Sequence, residues 1–148
     1  MELSGSYTFD APQARVWTVL TDPETLRRCL PGCQKFVQQE DGSYAVTMSI
    51  GIAAVKGTYT GIVHLLNERP PDGYTLKVGA RGAAGFVDGV GDFTLAPEAA
   101  QTRVSYVGQA QVGGKIASVG QRLIQAGAQM IAGQFFKALA KEVARPEP

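Results

Sequence analysis

The sequence predicts an α+β fold in which a curved antiparallel sheet of seven strands wraps around one long C-terminal helix. Apolar and polar residues alternate with the period of a β-strand in seven stretches of the chain. Signals for two short helices follow the first stretch, and the last part of the chain has a helical apolar period. No helix is predicted between the six later strands, so neighbouring strands should run antiparallel.

The two short helices begin at aspartate and proline signals, Asp10 with Pro12 and Asp22 with Pro23. Proline suits the first helical position because its missing N–H would have no partner there. The turn-forming Asp41-Gly42 pair marks a hairpin between later strands. The predicted strands cover 3–9, 34–40, 43–52, 55–68, 73–82, 86–96 and 101–112, and the helices cover 12–20, 23–30 and 115–144.

The C-terminal helix is predicted from apolar residues at helical spacing. They are Ile116, Val119, Leu123, Ile124, Met130, Ile131, Phe135 and Leu139. Gly120, Gly127 and Gly133 interrupt this pattern, and each weakens a helix by about 1 kcal/mol relative to alanine. We therefore expect these glycines to permit close contact with the sheet or with a bound molecule.

The composition limits the classes of protein to which this chain can belong. The chain has 148 residues, of which 45% are hydrophobic, and its formal net charge is +1. This size and composition predict one domain over 1–145, followed by a short tail at 146–148. The charge balance excludes the basic surface of a nucleic-acid-binding protein. The apolar runs are shorter than the roughly 20 residues of a membrane-spanning helix, and no secretory signal is visible, so we expect a cytoplasmic protein.

A curved sheet around a helix leaves a cavity between them. We expect its mouth beside the short helices, at Leu30, Pro31 and Gly32. Aromatic and apolar residues on the inward register are predicted to bind a hydrophobic small molecule there. They are Trp17, Tyr44, Met48, Tyr59, Val63, Tyr74, Val78, Phe93, Tyr106, Leu123, Gly127 and Met130. The alternative is that these side chains fill the core.

The polar candidates for catalysis are predicted to face away from this cavity. His64, the single histidine, shares a strand face with lysine and threonine residues. Asp88 and Asp92 share a face opposite Val87 and Phe93. An inward pair among His64, Asp88 and Asp92 would favour an enzyme, so we predict no catalytic residues.

Two further motifs have simple interpretations. The Gly113-Gly114-Lys115 sequence lacks the preceding glycine and the following serine or threonine of a phosphate-binding loop, so we interpret it as a strand-to-helix turn. Cys29 and Cys33 are two thiols with one distant histidine, which is not a zinc-binding set. No metal site is predicted.

The chain resembles the helix-grip superfamily, which includes START lipid-transfer domains, plant pathogenesis-related class 10 proteins and polyketide cyclases. Within it, the chain is similar to the CoxG family, whose members are named as the G subunit of carbon monoxide dehydrogenase. The motifs that carry this resemblance are APQARVW at 11–17 with LTDP at 20–23, LRRCLPGC at 26–33, VKGTYTG at 55–61 and GGKIASVGQRL at 113–123.

This resemblance implies an accessory role beside a molybdenum-containing hydroxylase such as carbon monoxide dehydrogenase. It also implies a link to the membrane or its quinone pool. We therefore expect non-catalytic binding of a quinone or lipid, no other cofactor, and peripheral contact at the inner face of the membrane. Lys137, Lys141 and Arg145 suit either the helix dipole or contact with anionic lipid or a partner.

Two alternatives from other classes remain open at this stage. One is a cyclase, dehydratase or hydrolase that works in the same cavity. The other is a protein-binding module whose core is filled, which a small or absent cavity would favour. The sequence does not specify the oligomeric state.

Overall fold

Seven antiparallel strands form one sheet that curves around a helix of 23 residues. The computed structural model describes residues 1–145, and the predicted tail at 146–148 lies outside the described residues. The elements are β1 (Glu2–Phe9), α1 (Gln13–Leu20), α2 (Pro23–Cys29), β2 (Cys33–Gln38), β3 (Tyr44–Ile50), β4 (Gly57–Arg69), β5 (Gly73–Gly82), β6 (Gly85–Glu98), β7 (Gln101–Gly113) and α3 (Gln121–Val143). Short 3-10 helices cover Ala53–Val55 and Lys115–Val119. The strand order is β1-β7-β6-β5-β4-β3-β2, which makes β1 and β2 the two edges.

The predicted α+β helix-grip fold class is confirmed, but two predicted boundaries are wrong. The predicted strands over 43–52 and 55–68 are shorter at their junction, because a 3-10 helix at Ala53–Val55 occupies the connection. The predicted helix from 115 is divided in two. Gly120 adopts a φ of +97°, so the 3-10 helix ends before it and α3 begins after it.

The starts of the short helices follow from their sequence. The carboxylate of Asp22 accepts a hydrogen bond from the Thr25 backbone N–H at 3.0 Å, and Pro23 occupies the first turn of α2. At α1 the N-cap residue is Pro12, and no side chain caps the helix. Asp10, which was predicted as part of that signal, therefore does not act as the cap.

Small residues allow the sheet to curve. A Cβ atom at Gly61 in β4 would collide with the backbone carbonyl oxygen of Gly79 in β5. The two strands therefore approach each other more closely on the concave face than any larger residue at Gly61 would permit. This curvature brings both sides of the sheet around α3.

The strand connections lie at two opposite ends of the sheet. We call one the base end; its connections are 10–12, 39–43, 70–72 and 99–100. We call the other the rim end; its connections are 30–32, 51–56, 83–84 and 114–120. The long helix α3 starts at the rim end, next to Gly120, and its last turns pack at the base end.

The two ends differ in how much apolar surface they bury. A cluster of twelve buried residues, the base cluster, closes the base end: Phe9, Ala11, Val16, Val19, Leu20, Cys29, Tyr74, Leu95, Val104, Phe136, Leu139 and Val143. A cluster of four buried residues, the rim cluster, closes the rim end: Val55, Tyr59, Ile116 and Ile124. A third cluster of five buried residues packs beneath α2. The base cluster is the largest of the three and therefore supplies the largest share of the hydrophobic stabilisation.

Helices contact both edge strands of the sheet. Next to β1, the side-chain amide of Gln125 in α3 donates a hydrogen bond of 2.8 Å to the backbone carbonyl of Glu2. Next to β2, helix α2 packs against the strand. These contacts occupy part of each edge, and β1 remains exposed from Ser4 to Thr8.

Candidate ligand-binding cavity

A cavity of about 400 Å³ lies between the concave face of the sheet and α3. Its wall takes side chains from α2, α3 and every strand of the sheet. None of the side chains that line it within residues 1–145 is charged, and the lining residues whose side chains carry a hydroxyl group are Tyr59, Tyr74 and Tyr106. Ligand pockets in proteins commonly have volumes of roughly 300 to 1,000 Å³ and mostly apolar walls.

The empty space is visible in the exposure of the inward-facing residues. Leu65, Leu76 and Val78 lie in the middle of the sheet on its concave face, and yet they are only partly buried. Their neighbours Val63 and Tyr74 are buried. A filled core would bury all five. The protein-binding alternative with a filled core is therefore not what the structure shows.

Aromatic rings form a continuous row along one side of the cavity. Tyr74, Phe93 and Tyr106 occupy paired positions on β5, β6 and β7. The rings of Tyr74 and Phe93 stack at 5.1 Å, and those of Phe93 and Tyr106 stack at 5.6 Å. Phe136 of α3 extends the row, 5.7 Å from Tyr106. These flat faces suit a planar or unsaturated ligand.

The row depends on a glycine at the sheet edge. A Cβ atom at Gly5 in β1 would lie 2.8 Å from the hydroxyl oxygen of Tyr106. Because Gly5 has no side chain, the ring of Tyr106 can lie flat across the edge strand.

The three tyrosine hydroxyls are not equivalent. Tyr59 donates to the backbone carbonyl of Val55 at 2.9 Å, and Tyr106 makes a longer 3.4 Å hydrogen bond to the side chain of Gln129. Within residues 1–145 the Tyr74 hydroxyl has no hydrogen-bond partner. Burial raises the pKa of Tyr74 well above its ordinary value, so its hydroxyl keeps its proton and can donate.

Seven of the twelve predicted ligand-binding residues line the cavity: Met48, Tyr59, Val63, Tyr74, Val78, Phe93 and Tyr106. Their contact with a ligand stays a prediction. At the predicted mouth, Leu30 lines the cavity but Pro31 and Gly32 do not. The Gly32 carbonyl instead accepts a hydrogen bond from the Ser49 backbone N–H at 2.9 Å, which fixes the turn to the start of β2 and the end of β3.

The placement of two predicted aromatic residues in the cavity wall is wrong. Trp17 lies behind the wall, where its ring packs edge-on against Tyr74 at 5.8 Å. It lines a separate polar groove between the short helices and the end of α3. Tyr44 is buried against Phe36, with ring centroids 5.1 Å apart, and belongs to the core beneath α2.

The three predicted residues on α3 are also misplaced. Leu123 and Met130 point outward, with exposed fractions of 53% and 54%. A Cβ atom at Gly127 would lie 3.3 Å from both methyl groups of Val55, so this glycine allows α3 to pack on the 3-10 helix. Gly120 and Gly133 have open space around them and serve no such contact.

The inward face of α3 is one residue out of phase with the predicted one. The helix residues that line the cavity are Ile124, Ala128, Ile131, Ala132, Phe135 and Phe136. The spacing of Ile124, Ile131 and Phe135 is a signal for this face. It becomes a regular helical pattern when Ala128 is counted as an inward-facing residue. Further lining residues that sequence reasoning missed are Met1, Leu3, Val55, Ala110, Val112 and Ile116.

The polar residues considered for catalysis do not line the cavity. His64, Asp88 and Asp92 are absent from its wall. Asp92 accepts a hydrogen bond from the Thr75 hydroxyl at 2.7 Å on the convex face. Lys115 opens a 3-10 helix of five residues after Gly114, which has a φ of +82°. The motif at 113–115 is thus a strand-to-helix turn, as predicted.

The thiols and acidic groups do not form a metal site in the described chain. No group of three or more His, Cys, Asp or Glu side chains comes together within residues 1–145. Cys29 and Cys33 are free thiols. Burial raises the pKa of Cys29 to about 11, so it is almost entirely protonated at neutral pH and poorly nucleophilic. Among the same residues, no helix combines the length and apolar character needed to cross a bilayer.

Solved structures of other proteins share this architecture. A conserved protein from Geobacillus kaustophilus is 36% identical, with a TM-score of 0.94 over 97% of this chain and 95% of its own. The Zhui aromatase/cyclase from Streptomyces sp. R1128 is 15% identical, with a TM-score of 0.73 over 98% of this chain and 94% of its own. At that identity the likeness to the cyclase concerns the fold alone. No curated protein sequence matches the chain.

A sequence match identifies the family. The profile of the CoxG family, described as the G subunit of carbon monoxide dehydrogenase, matches residues 5–144, which include the four motifs at 11–23, 26–33, 55–61 and 113–123. Those motifs form the short helices, the turn into β2, the connection into β4 and the start of α3. The chain therefore belongs to the CoxG family and has the helix-grip fold.

Proposed function

We propose that this protein binds a quinone or another isoprenoid or acyl lipid in its cavity and serves as an accessory protein of a molybdenum-containing, carbon monoxide dehydrogenase-type enzyme. It recruits that enzyme to the membrane, or carries the ligand between the two, through peripheral contact at the inner face. The observation that carries the ligand part is the cavity of about 400 Å³ without a charged side chain in its wall.

The chemistry of the wall supports an apolar ligand with few polar groups. Burying apolar surface stabilises a complex by roughly 25 cal/mol per Å², so about 200 Å² of buried ligand would supply about 5 kcal/mol. A charged ligand would lose its hydration without gaining a counter-charge from any lining side chain. The free hydroxyl of Tyr74 can donate one hydrogen bond, which suits the carbonyl oxygen of a quinone ring.

The wall gives less support to catalysis. Acid–base chemistry requires a titratable group within hydrogen-bonding distance of the substrate. The lining residues within 1–145 include no histidine, carboxylate, lysine or arginine. We therefore favour binding without catalysis over a cyclase-like activity, and the accessory role follows from membership of the CoxG family.

The ligand-binding part of the proposal is tested by a substitution in α3 that fills the cavity. Ala128 lines the cavity, whereas Ala126, two residues before it, is exposed on the outer face of the helix. We expect Ala128→Phe to lower the quinone or lipid recovered from the purified protein at least tenfold, and Ala126→Phe to leave it unchanged. The measurement is mass spectrometry of an organic extract from a quinone-containing host.

The same preparations contain their own controls. Equal circular dichroism spectra of the two variants would show that both fold. An empty wild-type extract, with no uptake of added menaquinone or ubiquinone, would contradict the ligand part of the proposal. Equal ligand content in both variants would place the ligand outside the cavity.

The partnership is tested with a purified molybdenum-containing carbon monoxide dehydrogenase. We expect the two proteins to elute together in size-exclusion chromatography at micromolar concentrations. If neither the ligand-loaded nor the ligand-free form of this protein elutes with the dehydrogenase, the accessory role is contradicted. The ligand-binding part of the proposal would be unaffected.

A further inference from the structure

The rim end of the molecule has an unusual charge composition. Lys56 and Lys115 are the charged residues in its four connections, and no aspartate or glutamate occurs there. Both lysines are exposed, as is Arg122 in the first turn of α3. No acidic residue occurs between positions 99 and 141. Glu2 at the start of β1 and Asp88 on the convex face of β6 lie towards the same end of the sheet, and neither lies in a rim connection.

Exposed apolar side chains lie beside these cations. Val119, at the end of the 3-10 helix, is 39% exposed, and Leu123 and Met130 are more than half exposed. Leu123 and Met130 are seven residues apart, so they share one face of α3. Exposed alanines at 53, 83 and 117 extend the apolar surface across the other rim connections. We call this surface, with Lys56, Lys115 and Arg122, the rim face.

One layer of side chains separates the rim face from the cavity. Val55, Ile116 and Ile124 belong to the rim cluster and also line the cavity. Two of them come from the 3-10 helices, and the third comes from the first turns of α3. The 3-10 helix at Lys115–Val119 is flanked by Gly114 and Gly120, which have φ angles of +82° and +97°. This segment is therefore joined to the sheet and to α3 at two left-handed glycines.

We propose that the rim face docks on an anionic lipid bilayer and that the cavity exchanges its ligand with the bilayer through the rim cluster. The inference rests on the proposed function, because an apolar ligand resides in the bilayer and has to reach the cavity without crossing water. Cations at the rim face attract anionic headgroups, and the exposed apolar side chains enter the headgroup region.

Charge complementarity favours a bilayer over a protein surface. The rim connections and the first turn of α3 carry cations only, which suits anionic headgroups. The base end instead mixes the acidic residues of its connections with the exposed cations Lys137 and Lys141 of α3 and Arg145 just after it. Attraction at the rim face orients the molecule with the rim cluster, and the cavity behind it, towards the lipid. The vesicle and co-elution experiments distinguish a bilayer from a protein partner at the rim face.

Vesicle co-sedimentation of the full chain tests the docking. We expect binding to vesicles of phosphatidylglycerol and phosphatidylcholine, and at least tenfold weaker binding to pure phosphatidylcholine. Leu123→Glu should weaken binding to the anionic vesicles at least tenfold. The matched control is Val107→Glu, because Val107 is equally exposed, at 52%, on the convex face of β7. This control should bind as the wild type does.

A second pair of variants separates the charge contribution from folding. Lys115→Gln with Arg122→Gln removes two rim cations, and Lys77→Gln removes an exposed cation on the convex face of β5. Only the rim variant should lose binding to anionic vesicles. Equal binding by the Leu123→Glu and Val107→Glu variants, or binding by neither the wild type nor any variant, would overturn the docking proposal.

Ligand extraction from the same preparations keeps the two proposals apart. Retained ligand with no vesicle binding would overturn the docking surface and leave the proposed function standing. Vesicle binding by a protein that contains no ligand would overturn the proposed function and leave the docking surface standing. If Leu123→Glu binds vesicles normally but no longer elutes with the dehydrogenase, the rim face docks a protein and the bilayer proposal is wrong.

Discussion

The base end and the rim end of this molecule are built in opposite ways. The base end has four acidic residues in its connections and is closed by twelve buried residues. The rim end has two lysines in its connections and is closed by four buried residues. A deep core at the base end stabilises the fold, and under the docking proposal the thin layer at the rim end is the route of ligand exchange. The proposal therefore assigns stability and access to different parts of the same sheet.

The largest expected change in the free energy of unfolding comes from a matched pair of core substitutions, one at each end of the sheet. Leu139 is fully buried in the base cluster, whereas Ile124 in the rim cluster borders a cavity that is already present. We expect Leu139→Ala to lower the free energy of unfolding by about 3 to 5 kcal/mol. Ile124→Ala should lower it by about 2 kcal/mol, near the lower limit for such truncations, because fewer packed neighbours are lost.

Urea denaturation of both variants measures this difference. The rim substitution should also speed the release of a bound ligand, which the base substitution should not do. If both variants lost the same stability, the division between a stabilising base end and an accessible rim end would be wrong.

The next prediction concerns the orientation of the ligand between the two ends. Tyr74 belongs to the base cluster and lines the cavity, and its hydroxyl lacks a partner within residues 1–145. We expect Tyr74→Phe to weaken quinone binding by about tenfold, which corresponds to one hydrogen bond of roughly 1.4 kcal/mol. Binding of a hydrocarbon such as squalene, which has no carbonyl group, should not change.

Tyr59→Phe is the control for this substitution. The Tyr59 hydroxyl already bonds to the Val55 carbonyl, so its removal should cost about 1 kcal/mol of stability with little change in quinone affinity. Quenching of the fluorescence of Trp17 provides one binding signal for both variants. Equal weakening by Tyr74→Phe and Tyr59→Phe would exclude Tyr74 as a specific donor.

Two glycines on either side of Gly127 are expected to have small effects of opposite sign on stability. Gly120, at the rim end, has a φ of +97°, so Gly120→Ala should lower the free energy of unfolding by about 1 to 2 kcal/mol. Gly133 lies in the helical part of α3 with open space around it. Gly133→Ala should raise stability by about 0.5 to 1 kcal/mol. Thermal unfolding measures both changes, and the same sign for the two would contradict the assignment of Gly120 as the break before α3.

The sequence allowed the fold class, the order of elements and the inward faces of the strands to be predicted. Period-two patterns specify which face of a strand is buried, so Val63, Val78 and Phe93 were placed correctly at the cavity wall. The outward placement of His64, Asp88 and Asp92 followed from the same patterns, and none of them lines the cavity.

The helix was harder to predict, because its apolar residues occupy two faces. Leu123 and Met130 are as hydrophobic as Ile124 and Ile131, and yet only the second pair faces the cavity. An apolar residue that is exposed on the surface has the same sequence signal as one that is buried. The break at Gly120 was missed for a related reason, because glycine inside a helical pattern does not reveal its backbone conformation.

The uncharged wall of the cavity has a consequence for the control of this protein in the cell. A binding site whose lining side chains carry no charge responds little to ionic strength, since salt screens interactions between charges and leaves burial of apolar surface in place. Docking through Lys56, Lys115 and Arg122 would weaken as salt concentration rises. Under the two proposals, the ionic conditions beside the membrane set where the protein resides, whereas its cargo is set by which lipids are present.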